Sequence, residues 1–311
     1  MPASKSSLLS LQNLSESKIE ILFSEALELK KNFNLHSLSS GTYHSGYKGT
    51  AALLFFEPST RTRFSFEAAC SRAGYHPLIL DGGIGTSLEK GETIEDTIFN
   101  IEAMRPLFFV IRCHDQINLT ELERKLSVPV LNAGWGRLGH PTQALLDALT
   151  LFEKWKNLKN KNILFIGDVK HSRVVSSHLE LAKIMGYNIA FCGPQDFIHS
   201  DQLDSAVKKF IHLDEALGWA DAAIALRLQK ERHETDNMFL IDDYKENYGL
   251  SHSKLAHLKP DALIMHPGPI NYGVEVESDI HDDSRSVILK QVENGVFIRE
   301  ALIRQMSKGD S

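Results

Sequence analysis

The sequence predicts an α/β protein of two domains, each a parallel β-sheet flanked by helices, with terminal helices that join the domains. Short apolar runs alternate with longer helical patterns along nearly the whole chain, which is typical of successive β-α-β units. A charged, polar break at residues 156–162 separates two such series. The length of 311 residues also suits two domains of about 150 residues each.

The first series of elements follows an N-terminal helix. Residues 17–31 are predicted to form an amphipathic helix, because Ile19, Leu22 and Phe23 recur at helical spacing. Gly74 lies where a helix C-terminal glycine is expected. We predict strands at 51–56, 77–80, 107–112 and 128–131, and helices at 61–73, 92–104, 118–126 and 142–155.

The second series begins directly after the polar break. Ligands of parallel sheets bind beyond the carboxyl ends of the strands, so the polar residues after each apolar run are the candidates for a functional site. Strands are predicted at 163–167, 188–192, 222–226 and 262–265, and helices at 173–185, 201–209, 237–247 and 285–307.

Composition and charge exclude several classes of protein. The net charge of −6 argues against general nucleic-acid binding, which favours basic chains. The three cysteines are far apart and form no C-x-x-C pair, so neither a zinc site nor a disulfide framework is expected. The N-terminus lacks the apolar core of a signal peptide, and no segment approaches the ~18 apolar residues of a membrane span. We therefore expect a cytoplasmic protein without metal, membrane or nucleic-acid partners.

The strongest local signal is the corner Ser59-Thr60-Arg61-Thr62, between a predicted strand and a predicted helix. The first N–H groups of a helix lack intrahelical partners and favour an anion. Hydroxyls add donors, and an arginine fork matches phosphate oxygens. Simple capping by Ser or Thr is the alternative, but capping does not require a cation in the first turn, so we favour an anion site. The Walker A pattern is absent, which disfavours ATP hydrolysis.

Three further stretches of the first series carry candidate residues. In the glycine-rich loop at 82–91, Ser87 and Lys90 could reach an anion, although a solvated loop explains them equally well. Arg112 ends an apolar run, where it either contributes to a site or reaches solvent. His140 and Gln143 open a helix at i and i+3 and can face the same side. An imidazole there could donate to a developing oxyanion, whereas the alternative is a helix cap.

The second series offers two arginines and a rigid corner. Arg173 begins a helix after a loop that lacks the glycines of a dinucleotide fingerprint. Arg227 ends an apolar run, and alternation along an extended segment points Arg227 and Gln229 the same way. A solvated charge run explains residues 230–232 better than it explains Arg227. Two prolines flank one glycine at 266–269, and Gly268–Pro269 is a candidate cis bond.

Six motifs in this order and spacing resemble the aspartate carbamoyltransferase family, and the resemblance spans residues 8–305. They are F-F-E-P-S-T-R-T-R, K-G-E-T, H-P-T-Q, G-D-V-K-H-S-R, R-x-Q-K-E-R and H-P-G-P. The resemblance implies transfer of the carbamoyl group of carbamoyl phosphate to the amine of L-aspartate, which yields N-carbamoyl-L-aspartate and phosphate on the way to pyrimidines. It implies direct attack through a tetrahedral intermediate, without a covalent enzyme intermediate, a cofactor or a metal.

The resemblance also assigns roles to domains and residues. Residues 1–141, with the C-terminal helix 290–311 packed back onto them, would bind carbamoyl phosphate, and residues 142–289 would bind aspartate.

In this family, one subunit contributes residues to the site of its neighbour, so a homotrimer is expected. A regulatory chain or a dihydroorotase is left open as a partner. The implied catalytic residues are Arg61, Thr62, Lys90, Arg112 and His140; carbamoyl phosphate would bind Ser59, Thr60, Arg61, Thr62, Arg112, His140 and Gln143; aspartate would bind Lys90, Arg173, Arg227 and Gln229; Ser87 and Lys90 would come from the neighbouring subunit; and Gly268 and Pro269 would supply backbone groups.

The chain departs from the family at two positions. Trp135 stands where the family commonly has Asp, and Tyr272 stands where relatives commonly have Arg. Neither position is among the main substrate contacts, so the departures bear on local packing and on aspartate affinity rather than on the reaction class.

Two rival interpretations remain from the sequence. An ornithine transcarbamoylase usually shows H-C-L-P and an S-M-G loop, whereas this chain has H-P-G-P and R-L-Q, which suit a dicarboxylate. A catalytically silent scaffold should have lost site side chains, yet the implied arginines, lysine and histidine are all present.

Overall fold

The chain divides into two compact units, each of which contains one parallel sheet flanked by helices. The structure, a computed structural model, describes residues 5–36, 46–82, 85–198, 207–228 and 237–308. One unit comprises Met1–Leu146 with Val292–Ser311, and the other comprises Asp147–Gln291. Every ladder between the described strands is parallel. The predicted fold class is confirmed.

The first unit holds a four-stranded sheet in the order β2-β1-β3-β4. Strand β1 is central, and its residues from Ala51 to Phe55 are fully buried because helices cover both faces. Pro77 lies on the edge strand β2, where a residue without an N–H is tolerated. The elements are α1 (Glu16–His36), β1 (Gly49–Phe55), α2 (Thr60–Ala73), β2 (Tyr75–Asp81), a 3-10 helix (Ser87–Lys90), α3 (Ile94–Glu102), β3 (Phe109–Cys113), α4 (Leu119–Lys125), β4 (Val130–Trp135) and the start of α5 (Pro141–Trp155).

The second unit holds a five-stranded sheet in the order β7-β6-β5-β8-β9. Its core is built from apolar side chains of these strands and of the helices that follow them, including Leu164, Ala190 and Ile264. The elements are β5 (Asn162–Ile166), α6 (Arg173–Met185), β6 (Asn188–Cys192), α7 (Gln195–Ile198), β7 (Lys208–Phe210), α8 (Leu213–Trp219), β8 (Ala222–Ala225), α9 (Asn237–Tyr248), α10 (His252–Leu255), β9 (Leu263–Met265), a 3-10 helix (Ile280–Asp282) and the start of α11 (Ile288–Lys308).

The C-terminal part of α11 packs within the first unit. The Phe297 ring lies 6.0 Å from the ring of Phe33 on α1. The guanidinium of Arg72 contacts both rings, at 4.0 Å from Phe33 and 4.8 Å from Phe297, so a cation joins α2 to both helices. Lys30 of α1 adds a hydrogen bond of 2.6 Å to the side-chain oxygen of Asn294 on α11.

The helix predicted at 201–209 is contradicted at its end, because β7 occupies Lys208–Phe210; residues 201–206 lie outside the described part of the chain. Several short elements are absent from the prediction. Strand β7 and the helices α7, α8 and α10 have at most seven residues each, too few for a helical or strand period to stand out. The remaining predicted elements are present, with ends shifted by a few residues.

None of the helices in the described ranges is both long and apolar enough to cross a membrane. No group of three or more metal-ligating side chains occurs among the same residues.

The glycine that ends α2 provides a test of the local fold. Gly74 has a φ of 93°, in the left-handed region, and its N–H bonds the carbonyls of Cys70 and Ser71. We expect Gly74→Ala to lower the free energy of unfolding by about 1–2 kcal/mol, since a Cβ is unfavourable in this conformation. Gly218→Ala in α8, where φ is not in that region, is the control and should retain or slightly raise stability. Equal urea midpoints for the two variants would contradict the assignment.

Candidate active site

In the first unit, the candidate residues lie at or just after the carboxyl ends of three adjacent strands. The corner at 59–62 follows β1, Arg112 lies in β3, and His140 follows β4, and these strands are neighbours in the sheet. Because parallel strands end at the same edge, the sheet brings these segments together at its carboxyl edge. Ser87 and Lys90 follow the edge strand β2, where both side chains are exposed on the short 3-10 helix.

The corner at the start of α2 is not a simple cap. Ser59 has extended backbone before the helix, yet its side chain accepts no hydrogen bond from the helix N–H groups. Thr60 and Arg61 are exposed, and Thr62 is buried. The first turn contains no acidic residue, so its positive end is compensated by no carboxylate from the helix itself. The arrangement suits an anion from outside the helix.

The two arginines of this corner differ in their contacts. Arg63 lies 3.0 Å from the Asp81 carboxylate on β2 and 3.5 Å from Glu67. Its guanidinium also lies 4.6 Å from the Phe64 ring. Arg63 is therefore a structural contact of α2, whereas Arg61 is the exposed arginine of the first turn.

Arg112 lies at an irregularity in the sheet that directs it toward the corner after β1. The β3–β4 register shifts between Ile111 and Cys113, and such bulges re-aim side chains. The Nε of Arg112 lies 3.8 Å from a carboxylate oxygen of Glu57, and its carbonyl accepts the N–H of Phe56 at 2.8 Å. Only 13% of the Arg112 side chain is exposed. Its charge is thus held beside the loop that leads into α2.

Helix α5 begins with three buried polar side chains. His140, Thr142 and Gln143 are 4%, 0% and 8% exposed, and such groups are usually hydrogen-bonded. The His140 carbonyl accepts the N–H of Gln143 at 3.0 Å, which makes it the start of the helix. An imidazole and an amide therefore lie at the positive end of α5, where both could contact a small polar ligand.

A buried arginine that sequence reasoning missed joins the two helix starts. Arg299 of α11 is 3% exposed, and it donates to the hydroxyl of Ser65 on α2 at 2.7 Å and to that of Thr142 on α5 at 3.3 Å. Gly295 makes room for it, because a Cβ there would lie 2.7 Å from a terminal nitrogen of Arg299. Nothing local marked this arginine, since its partners lie over 150 residues away along the chain.

In the second unit, the candidates again follow adjacent strands. Arg173 opens α6 after β5, Arg227 follows β8, and the turn at 266–269 follows β9. Strands β5, β8 and β9 are neighbours in the sheet. Gln229 lies outside the described residues. The bond between Gly268 and Pro269 is cis, as the sequence predicted.

Buried polar groups support the loops of this edge. The Asp168 carboxylate, after β5, accepts the backbone N–H of His171 at 3.2 Å and lies 2.8 Å from its Nδ1. The Gln291 side chain accepts the N–H of His266 at 2.9 Å and donates to Asp147 at 2.7 Å. Asp147 also lies 3.2 Å from Nε2 of the buried His178. The turn after β9 is thereby tied to the interior of the unit.

The two departures from the family make local contacts. The indole of Trp135 donates to the carbonyl of Ile117 at 2.7 Å. The Tyr272 hydroxyl lies 2.9 Å from Nε2 of His281 on the surface. Each therefore stabilises a neighbouring loop.

Removal of Arg299 should destabilise the first unit. Arg299→Met keeps much of the volume but leaves the hydroxyls of Ser65 and Thr142 without this donor, and we expect a loss of about 1–3 kcal/mol in the free energy of unfolding. The exposed Arg124, at the end of α4, gives the control Arg124→Met, which should change it by less than about 0.5 kcal/mol. Urea titration measures both variants, and equal losses in the free energy of unfolding would show that the buried contacts of Arg299 do not stabilise the first unit.

Two buried tyrosines of the second unit should differ in how much stability the protein loses when the hydroxyl is removed. Tyr187 lies 2.8 Å from His178 Nδ1 and donates to the His178 carbonyl at 3.1 Å, whereas the buried Tyr244 hydroxyl has no hydrogen-bond partner among the residues that the structure describes. At pH 7, Tyr187→Phe should lower the free energy of unfolding by about 1–3 kcal/mol, whereas Tyr244→Phe should leave it unchanged. Urea titration measures both variants, and equal losses would contradict the difference in their hydrogen bonds.

The burial of Tyr244 also predicts that the stability of the protein depends on pH. Burial, and then the charge of Glu275, raises the pKa of Tyr244 above its ordinary value. In the unfolded chain the phenol loses its proton near pH 10, so the folded state loses stability as the pH rises above about 10. Tyr244→Phe should flatten this loss in urea midpoints measured between pH 8 and 11. An unchanged slope would contradict the burial of an un-ionised phenol.

Comparison with known proteins assigns the chain to a family. The family model described as aspartate/ornithine carbamoyltransferase, carbamoyl-P binding domain, matches residues 6–153. The model described as aspartate/ornithine carbamoyltransferase, Asp/Orn binding domain, matches residues 159–306.

Relatives and solved structures agree with both matches. The chain is 38% identical to the aspartate carbamoyltransferase catalytic subunit of Pelagibacter ubique, over 97% of this chain and 95% of that one. It is 39% identical to the corresponding subunit of Coxiella burnetii, over 95% and 94%.

Among solved structures, aspartate transcarbamoylase from Trypanosoma cruzi in complex with N-(phosphonacetyl)-L-aspartic acid is 27% identical, with a TM-score of 0.83 over 97% of this chain and 95% of that one. Ornithine carbamoyltransferase from Pyrococcus furiosus is 25% identical, with a TM-score of 0.82 over 97% and 96%. The chain belongs to the aspartate/ornithine carbamoyltransferase family.

Proposed function

We propose that this protein transfers the carbamoyl group of carbamoyl phosphate to the amine of L-aspartate, which yields N-carbamoyl-L-aspartate and phosphate. The observation that carries the choice of amino acid is the 38–39% identity to aspartate carbamoyltransferase catalytic subunits over nearly the full chain. The residues after β8 and β9 agree with it, because an arginine beside a rigid backbone turn suits a dicarboxylate.

We infer that the first unit binds carbamoyl phosphate. Ser59, Thr60, Arg61 and Thr62 would hold the phosphate through hydroxyls, helix N–H groups and one guanidinium. Arg112 and His140 would donate to the carbonyl oxygen, and the Gln143 amide would contact the carbamoyl amine. The expected extent of this domain is residues 1–141 with the C-terminal helix 290–311. The clustering of these segments after β1, β3 and β4 supports the proposal.

The second unit would bind L-aspartate, with an expected extent of residues 142–289. Arg173 and Arg227 would bind its carboxylates with help from Gln229, and the carbonyl groups of the Gly268–Pro269 turn would orient its amine. The amine nitrogen then attacks the carbamoyl carbon, the carbonyl becomes a tetrahedral oxyanion, and the C–O bond to phosphate breaks. The nitrogen loses one proton, and the departing phosphate takes it up. Donors fixed around the oxyanion lower the barrier, because they require no reorganisation as charge develops.

We also propose that the active form is a cytoplasmic homotrimer. Ser87 and Lys90 are exposed after the edge strand β2, and in this proposal they complete the site of a neighbouring subunit. Lys90 would supply a point charge to both substrates.

The substrate assignment is tested with purified protein, carbamoyl phosphate and either L-aspartate or L-ornithine. We expect carbamoyl-aspartate and phosphate in equal amounts, and no product from ornithine. Turnover of ornithine alone would overturn the assignment, and no turnover of either would favour a silent scaffold.

The two arginines of the α2 corner give a matched pair of variants. Arg61→Ala should lower kcat about 10²–10³-fold, as loss of a donor to developing charge does elsewhere. Arg63→Ala removes ion pairs to Asp81 and Glu67, so it should lower the Tm of the protein and leave kcat close to the wild-type value. The reverse pattern would show that the phosphate is bound by Arg63.

Shared sites predict complementation between inactive variants. Lys90→Ala and Arg61→Ala trimers, dissociated, mixed and reassembled, should regain part of the wild-type activity, because some sites then contain neither substitution. Absence of recovery in proven mixed trimers would place each complete site within one chain.

A further inference from the structure

A buried carboxylate joins the two loops that carry the proposed aspartate contacts. Glu275 lies in the segment after the Gly268–Pro269 turn, and it is 1% exposed. One of its oxygens accepts the backbone N–H of Leu228 at 2.8 Å and the side-chain amide of Asn271 at 2.7 Å. The other accepts the backbone N–H of Asn271 at 2.6 Å. Two loops that follow different strands thus converge on one side chain.

The contacts of Glu275 match an ionised carboxylate. A carboxylate accepts hydrogen bonds at both oxygens and donates none, and here three N–H groups point at it. Such charge-assisted bonds are stronger than bonds between neutral groups. A buried carboxylate without hydrogen-bond donors is costly. Movement of either loop away from Glu275 is therefore unfavourable.

In the first of these loops, hydrogen bonds fix the backbone on both sides of Arg227. The N–H of Leu226 bonds the carbonyl of Ile166 on β5 at 2.8 Å, which continues the ladder of the sheet. The N–H of Leu228 bonds Glu275, and the Leu228 carbonyl accepts the Asn271 amide at 3.3 Å. Both leucines are buried. Because its two neighbours are fixed, Arg227 has a defined direction away from them.

The second loop is the proposed amine contact. The N–H of Gly268 bonds Nδ1 of His266 at 2.8 Å, and the N–H of His266 bonds Gln291 at 2.9 Å. Nε2 of His266 lies 3.9 Å from the second oxygen of Glu275. Glu275 and Asn271 therefore hold one end of the turn, while Gln291 holds the other.

We propose that Glu275, with Asn271, is a positioning element for the amino-acid substrate, here named the 271/275 clip. It fixes the distance between the guanidinium of Arg227, which would bind a carboxylate, and the carbonyls of the Gly268–Pro269 turn, which would bind the amine. The clip rests on the proposed function. It touches neither substrate; it sets the spacing that an α-amino dicarboxylate must match, and misplacement of binding groups by about 1 Å can cost about 100-fold in rate.

The test compares Glu275→Gln with Glu277→Gln, a control two residues along the same segment whose side chain is only partly buried. A glutamine at 275 offers one acceptor oxygen and turns an NH₂ group toward donors. We expect the KM for aspartate to rise at least about tenfold, the loss that about 1.4 kcal/mol of weakened binding produces. The KM for carbamoyl phosphate should stay within twofold, and Glu277→Gln should change neither constant.

A general structural role gives a different result. If both KM values rise together, or if a folded Glu275→Gln protein keeps the wild-type aspartate KM, the clip does not position the substrate. Should Glu275→Gln fail to fold, Asn271→Ala replaces it, since that variant keeps the carboxylate and both backbone bonds and loses only the amide contacts to Leu228 and Glu275.

Hydrogen exchange separates the clip from the proposed function. In unliganded wild-type protein, the amides of Leu228 and Asn271 should exchange slowly, and Glu275→Gln should accelerate both without affecting β5 and β6. Slow exchange in the variant would overturn the clip even if the enzyme carbamoylates aspartate. Wild-type protein that shows the expected exchange but does not carbamoylate aspartate would overturn the proposed function and, with it, the clip's role in substrate positioning.

Discussion

Parallel strand pairing is the constraint on which the candidate site depends. Every described ladder is parallel, so in each unit all the strands end at one edge. Residues that lie far apart in the sequence are brought to that edge together: those at the ends of β1, β3 and β4 in the first unit, and those after β5, β8 and β9 in the second. The helices that begin there add positive ends to the same edges. The chemistry then needs only side chains that suit anions.

Buried polar groups convert this coarse placement into fixed spacing. Arg299 joins the starts of α2 and α5, Glu275 joins the loops after β8 and β9, and Gln291 joins the second of these loops to Asp147. Each group is costly to bury without its partners, so each one penalises movement of the loops that it joins. Apolar packing alone would tolerate small shifts of these loops, whereas directional bonds to charged groups do not.

The sequence predicts the sheets and the exposed candidates because their signals are local. Apolar runs such as 51–56 and 163–167 mark buried strands, and the arginines that follow strands mark the carboxyl edges. The supporting residues carry no such signal. Arg299 lies within a helix and Glu275 in a loop, where single charges usually face solvent, and their partners are known only once the chain has folded. The helix predicted at 201–209 overlaps strand β7, whose three residues are too few to display a strand period.

Titration calorimetry with N-(phosphonacetyl)-L-aspartate tests whether Arg61 of the first unit binds the phosphate and Arg227 of the second unit binds the aspartate carboxylates. This ligand carries a phosphonate and an aspartate moiety, and inorganic phosphate is the control ligand. We expect one site per chain in the wild type and at least tenfold weaker binding in both Arg61→Ala and Arg227→Ala, with phosphate binding lost only in Arg61→Ala. Wild-type affinity of Arg227→Ala for the two-part ligand, or loss of its phosphate binding, would contradict these roles of the two arginines.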